Sequence, residues 1–309
     1  MFGTLLTILG LCLFETISSV DNAVINAEVL GKMSERARRW FLLWGMLFAV
    51  LLLRGLLPWG IVILTTGLTP IEAFKATWSS EPQVIEAIEQ SKHLLLIGAG
   101  TFLILLFLHW LFREEKKFGL IGEKFIYTHG LWFYACSSLF LTVIVWQSVS
   151  ERPLMAFAAT IGSTIFFITH GFKENAEEME RRMIRGESRS SDWAKIFYLE
   201  AIDAAFSIDG VVGAFAFTLS VPLILIGNGI GAIGVRYLTV QNIEQVKKLP
   251  FLKNGAMYSI LFLGIVMTME SFGIHVPAWL SPIMTFFIIG WFLCKSVRHQ
   301  KILNFETLH

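Results

Sequence analysis

Charge is scarce in this chain, and so is cysteine. Of 309 residues only 16% are charged, against 55% that are hydrophobic. Soluble domains run at about 25% charged and about 45–50% apolar. The shortfall excludes a disordered chain, a basic nucleic-acid binder and most soluble enzymes. The three cysteines, Cys12, Cys136 and Cys294, lie in separate apolar runs. They offer neither a disulfide framework nor a CxxC metal spacing and read as small packing residues. An excess of either sign is also missing, since the formal net charge is +1. The first residues lack a basic stretch, and Glu15 and Asp21 interrupt the apolar run, so a cleavable signal peptide is not expected.

Long apolar runs are what the chain has instead. A membrane span needs roughly 20 such residues. The runs predict nine helical spans, at about 3–30, 40–66, 93–112, 126–149, 153–170, 196–219, 222–241, 255–272 and 278–294. Ser150-Glu151-Arg152-Pro153, Ser220-Val221-Pro222 and His275-Val276-Pro277 read as tight turns, each with a proline suited to a helix start. The 27 Phe and 10 Trp fit lipid-facing surfaces and interfacial belts. The expected fold is therefore all-α, a polytopic helix bundle whose partner is the lipid bilayer.

Basic residues fall in alternate loops. Lys32, Arg36, Arg38 and Arg39 follow the first span, and Arg113, Lys116, Lys117 and Lys124 follow the third. Lys173, Arg181, Arg182, Arg185, Arg189 and Lys195 follow the fifth. Lys247, Lys248 and Lys253 follow the seventh, and Lys295, Arg298 and Lys301 lie in the tail. The opposite loops hold only Lys75, Lys92 and Arg152. The positive-inside rule then sets the N-terminus outside and the C-terminus in the cytoplasm. Loop 67–92 is acidic and external. Loop 171–195 is internal and reads as a polar helix, broken at Gly186 and Ser188-Arg189-Ser190-Ser191.

Acidic residues inside the spans carry the functional signal. The first span contains Glu15-Thr16-Ile17-Ser18-Ser19-Val20-Asp21-Asn22-Ala23-Val24. The sixth contains Asp203-Ala204-Ala205-Phe206-Ser207-Ile208-Asp209-Gly210-Val211-Val212. Glu15 aligns with Asp203, Ser19 with Ser207, and Asp21 with Asp209. Glu200 adds a fifth acid one turn before Asp203. The two spans run in opposite directions, and each precedes a span with one arginine, Arg54 or Arg236. That is the pattern of an inverted-topology repeat, in which the substrate site lies near the midplane between the halves. The halves are read as 1–112 and 196–294, with connecting spans and loop at 113–195 and a cytoplasmic tail at 295–309, all within one membrane domain, 1–309.

One ionised side chain at the bilayer centre costs roughly 2.5–3.5 kcal/mol. Two arginines cannot balance five acids, so protons, bound cations or a water-filled cavity must do the rest. Carboxylate, hydroxyl, amide and carbonyl oxygens are hard donors suited to Mn²⁺, Ca²⁺ or Mg²⁺. At 3.6 residues per turn, Glu15, Ser19 and Asn22 share a face. A local unwinding near Ser18-Ser19 would bring in Asp21, with Gly210 and Gly213 serving the second copy. Glycines at 227, 229, 231 and 234 would allow close helix packing. His109 and His129 read as core or helix-end residues.

The stretch Glu15-Thr-Ile-Ser-Ser-Val-Asp-Asn-Ala-Val-Ile-Asn-Ala, followed by Arg54-Gly-Leu-Leu-Pro, resembles the TerC family of bacterial integral membrane proteins, in a branch long labelled only as a domain of unknown function. Glu200-Ala-Ile-Asp-Ala-Ala-Phe-Ser-Ile-Asp-Gly-Val and Leu96-Ile-Gly-Ala-Gly-Thr-Phe-Leu fit the same branch. The resemblance implies efflux of manganese or calcium, with a historical link to tellurite resistance. It implies metal-site roles for Glu15, Asp21, Asn22, Asp203 and Asp209, with Ser19, Ser207, Glu200, Arg54 and Arg236 in support. Gly210 stands where the first copy has Asn22, so one amide ligand is missing from the second half. The expected function is export of a divalent cation, Mn²⁺ first, with no enzymatic activity, no tightly bound cofactor and no nucleic-acid partner. A non-transporting scaffold that supplies metal to a partner, and an intramembrane hydrolase, are the competing readings.

Overall fold

Within a bilayer each backbone N–H and C=O must be satisfied by the protein itself, and a helix does this within one segment. The computed structural model describes residues 2–20, 23, 27, 29–30, 33–45, 56, 59–60, 63–64, 67–73, 82–116, 118–184, 192–237 and 248–306. Among these the regular elements are helices, and no strand occurs. They are α1 (Phe2–Ser18), α2 (Glu35–Trp40) with a π-helical turn at Phe41–Gly45, α3 (Pro82–Arg113), α4 (Ile121–Thr128) and α5 (Trp132–Glu151). Then follow α6 (Pro153–Ile184), α7 (Asp192–Ala214), α8 (Val221–Tyr237), α9 (Leu252–Ser271) and α10 (Leu280–Glu306).

Five described helices are long and apolar enough to cross a membrane: Ser91–Arg113, Trp132–Glu151, Pro153–Asn175, Leu252–Ser271 and Leu280–Lys301. Two shorter apolar helices, Phe2–Ser18 and Val221–Val235, accompany them. The protein is an all-α, multi-pass membrane bundle. α7 carries Lys195, Glu200, Asp203 and Asp209 along its length, which sets it apart from the apolar spans. The span expected at 40–66 lies largely outside the described residues, Arg54 with it.

α3 is the hub. Some 72% of its apolar stretch is buried, against 17% for α5. It packs on α9 along one side and on α6 along another. Small residues make both contacts close: a Cβ at Gly162 would collide with the Gly98 carbonyl, and one at Gly100 would sit 2.6 Å from Thr268 Oγ1. The core joins Leu11 and Phe14 of α1 to Phe102 and Leu103 of α3, Val211 and Ala214 of α7, Ile224 of α8 and Leu263 of α9. α5 turns Trp132, Leu139, Val143 and Trp146 outward, as a lipid-facing helix should.

Several boundaries differ from the sequence expectation. The fourth span begins at Trp132 rather than 126, because His129 and Gly130 close α4 with bonds to Ile126 O and Tyr127 O. Gly130 allows this corner to rest on α3, since a Cβ there would lie 2.8 Å from Phe112 O. α7 stops at Ala214 rather than 219, where Phe215, Ala216 and Phe217 each donate three residues back and tighten the last turn. The second part of the 67–92 loop is helical, since α3 starts at Pro82, a favoured first residue. The tail from 295 continues α10 to Glu306, and the polar stretch after 170 continues α6 to Ile184.

Two clusters of polar contacts lie at opposite ends of the bundle. At one end Lys253 pairs with Glu114, Lys295 lies over the Phe251 ring, and Asn254 and Tyr258 donate to the buried Glu123 carboxylate. These residues come from three of the loops that the charge pattern assigns to one side. At the other end Lys92 lies 3.7 Å from Glu270, and His93 Nδ1 lies 2.7 Å from Ser271 O.

Candidate metal centre

α1 is wedged against α7 and α8, and Glu15 occupies the crossing. Its residue is fully buried. Its Oε1 accepts from Ser19 Oγ at 3.0 Å. Two glycines make the fit possible. A Cβ at Gly231 on α8 would lie 2.7 Å from Glu15 Cβ, and one at Gly210 on α7 would meet Glu15 Oε2. Gly213 and Gly227 similarly admit Phe14 and Leu11, each 2.5 Å from an added Cβ. Thr16 Oγ1 donates to Cys12 O at 2.7 Å and lies 3.4 Å from Gly231 O. Of the glycines expected to allow close packing on α8, Gly227 and Gly231 do so, while Gly234 makes an ordinary contact at 3.5 Å. Gly210 and Gly213, expected at an unwound segment, instead lie within continuous helix α7 and make room for α1.

Gly210 follows Asp209, so the second copy's acid lies beside the same crossing. Asp209 Oδ2 is 2.5 Å from Lys173 Nζ on α6. Its Oδ1 is buried with no hydrogen-bond partner among the described residues. Asp203 is 7% exposed. It precedes Gly210 by seven residues, two helical turns, and so shares the face that meets α1. Glu200 is half-buried, and a Cβ at Gly45 would meet its Oε1. Two acids thus lie against glycines distant in sequence: Glu15 against Gly231, and Glu200 against Gly45.

Of the expected site, the structure brings together Glu15 and Ser19 at the crossing; Asp209 lies next to Gly210 on α7 but pairs with Lys173 of α6, and Asp203 and Glu200 lie further along α7. Asp21, Asn22 and Arg54 lie outside the described residues, as do the side chains of Ser207 and Arg236. Helical bonding continues at the expected unwinding point, since Ser19 N donates to Glu15 O and Ala23 N to Ser19 O.

Residues 20–303 match the family model described as "Protein of unknown function (DUF475)". The chain belongs to the DUF475 family. It is 28% identical over 139 residues to the uncharacterized membrane protein YceF of Bacillus subtilis (strain 168), covering 44% of this chain. The match spans 53% of YceF, about half that relative's length. It is also 26% identical over 163 residues to the UPF0053 inner membrane protein YgdQ of Escherichia coli (strain K12), covering 52% of this chain and 67% of that protein. An uncharacterized membrane protein of Rickettsia felis matches at 26% over 106 residues, 34% of this chain and 35% of that one. No solved structure matches the chain.

Two residues of this DUF475 site escaped the sequence reading. Lys173 was counted as a loop cation, yet it is only 7% exposed and pairs with Asp209. Its position four residues before Glu177, on a helix continuous with the fifth span, was the available signal. Asn228 on α8 is fully buried, and neither its Oδ1 nor its Nδ2 has a hydrogen-bond partner among the described residues. It lies one turn before Gly231, on the helix that packs on Glu15. A lone amide between Gly227 and Gly229 in an apolar span was visible and went unused. An unsatisfied buried amide costs about 1–3 kcal/mol, so Asn228 needs a ligand, a water or a function.

Proposed function

We propose that this DUF475 protein is a divalent-cation transporter that works as an exporter, with Mn²⁺ as its first ion and Ca²⁺ as its second. The observation that carries the reading is a fully buried acid at a helix crossing: Glu15 is buried where α1 meets α7 and α8, with Gly210 and Gly231 leaving the room it occupies. Hard oxygen donors line this part of the bundle: Glu15 and Ser19 at the crossing, Asn228 on α8, and Asp203 and Asp209 along α7. Such donors suit Mn²⁺, Ca²⁺ or Mg²⁺. Asp21 and Asn22 complete the set on the sequence repeat. The resemblance to TerC supports the same ion class, and the inverted repeat supports a midplane site reached alternately from two sides.

Lys173 supplies the exchangeable charge in this account. With the site empty it neutralises Asp209. An arriving dication competes for that carboxylate and releases the lysine, which then repels the ion toward the opposite side. The protein is not an enzyme in this reading. It sits in a bacterial inner membrane, the location in YgdQ's name, with its C-terminus in the cytoplasm. Purified protein in vesicles loaded with a metal-responsive dye tests the proposal. Mn²⁺ should enter faster than in empty vesicles, Ca²⁺ more slowly, and monovalent ions not at all. Equal signals in protein-containing and empty vesicles for every dication would reject transport.

A further inference from the structure

A second donor cluster lies away from the carboxylates, where α3 and α6 approach their polar ends. His109 on α3, with His170 and Glu174 on α6, offers three donor atoms that all lie within 4.8 Å of one another. His170 and Glu174 are four residues apart and so share a helix face. Glu174 Oε1 is 3.3 Å from His170 Nε2. That nitrogen is buried and has no hydrogen-bond partner among the described residues. The two imidazole rings have centroids 3.6 Å apart, and Phe133 and Phe166 hold them from behind. His109 is buried, His170 half-buried and Glu174 exposed, so the cluster is rigid on its inner side and open on its outer side.

We propose that His109, His170 and Glu174 form a second metal site that takes a first-row dication of the zinc class. Two imidazole nitrogens and one carboxylate are the donor set of zinc and its neighbours, whereas Mn²⁺ and Ca²⁺ favour oxygen alone. Three protein ligands with an open fourth position describe an exchangeable site rather than a closed structural one. The surrounding cations are already engaged: Lys173 holds Asp209, and Arg113 lies over the Tyr134 ring at 5.8 Å. The site does not depend on the carboxylate crossing, because it shares no ligand with it. It stands one helical turn from Lys173 and so adds a charge beside the Asp209 pair when filled.

Co²⁺ titration of the tag-free full-length protein in detergent, followed by visible ligand-field absorption, tests this. The wild type should show a saturable band that Zn²⁺ displaces. His109→Gln and His170→Gln should lose it. Outer-shell partners of a metal already contribute about 10–100-fold to affinity, so Glu174→Gln should weaken binding by the upper end of that range. Glu174 is exposed, and an unchanged thermal melt keeps that variant informative if a histidine variant misfolds. Glu15→Gln and Asp203→Asn should keep the band. The proposal fails if the folded wild type gives no saturable band. It also fails if Glu174→Gln binds as tightly as wild type, or if the band disappears in Glu15→Gln.

Discussion

At the residue scale, the Lys173–Asp209 pair changes what a charge deletion should do. Both side chains are nearly buried, at 9% and 13% exposure. Breaking such a pair from one side costs about 3–5 kcal/mol, because the other charge is left without compensation. Asp209→Asn should therefore lower protein abundance as well as Mn²⁺ flux. Adding Lys173→Met should restore abundance but not flux, and quantitative blotting beside the vesicle assay separates the two. If the double variant transports normally, Asp209 is no ligand. Glu15, Asp203 and Asp209 were legible in the sequence because an acid in an apolar run is costly and therefore informative. Lys173 was not, because a lysine just past a span reads as a solvated loop charge until the helix is seen to continue. Asn228 was overlooked because a neutral amide perturbs hydropathy far less than a carboxylate.

At the element scale, the contact of α1 with α7 and α8 depends on the absence of side chains at Gly210 and Gly231. Gly231→Ala would set a methyl 2.7 Å from Glu15 Cβ, close enough that α1 must shift. Overpacking of this kind costs about 1–3 kcal/mol, so the variant should melt at a lower temperature and bind the ion more weakly. A melt and affinity equal to wild type would show that α1 does not seat there. The α3–α4 corner gives a pH signature. Burial pushes Lys116 down to about 8, against the opposing pull of Glu114 and Glu123. Its ammonium donates to Trp110 O at 2.5 Å and lies 3.5 Å from the Trp110 ring centroid. The unfolded chain holds the proton more strongly than the folded one between about 8 and the ordinary lysine value of 10.5. Stability should therefore rise with pH across that window, and the cost of the buried charge should be present in full below it. Lys116→Met should flatten the rise in a detergent melt series; a rise of equal size in the variant would assign it elsewhere. Helix existence was readable from apolar runs. The break at His129-Gly130 was not, because it depends on how Gly130 meets Phe112 of another helix.

At the scale of the whole molecule, clusters of polar contacts at two ends of the bundle agree with the alternation of basic loops, from which the positive-inside rule predicts the cytoplasmic side. A cysteine at Ser190 should react with an impermeant thiol reagent only after the membrane is opened; labelling from outside intact cells would reverse the orientation. An inverted repeat is the expectation that the two acidic motifs and the charge pattern share in the sequence. The contacts of Glu15 with Gly231 and of Glu200 with Gly45 were not legible there, because pairing between distant segments is set by tertiary packing. The most direct test of the carboxylate crossing is Mn²⁺ flux through vesicles carrying Glu15→Gln at wild-type protein density. Glutamine keeps the size of Glu15 and an oxygen for Ser19 Oγ, but removes the charge that a hard dication needs. The account predicts normal insertion and melting with flux reduced to that of empty vesicles. Flux equal to wild type at equal density would contradict it.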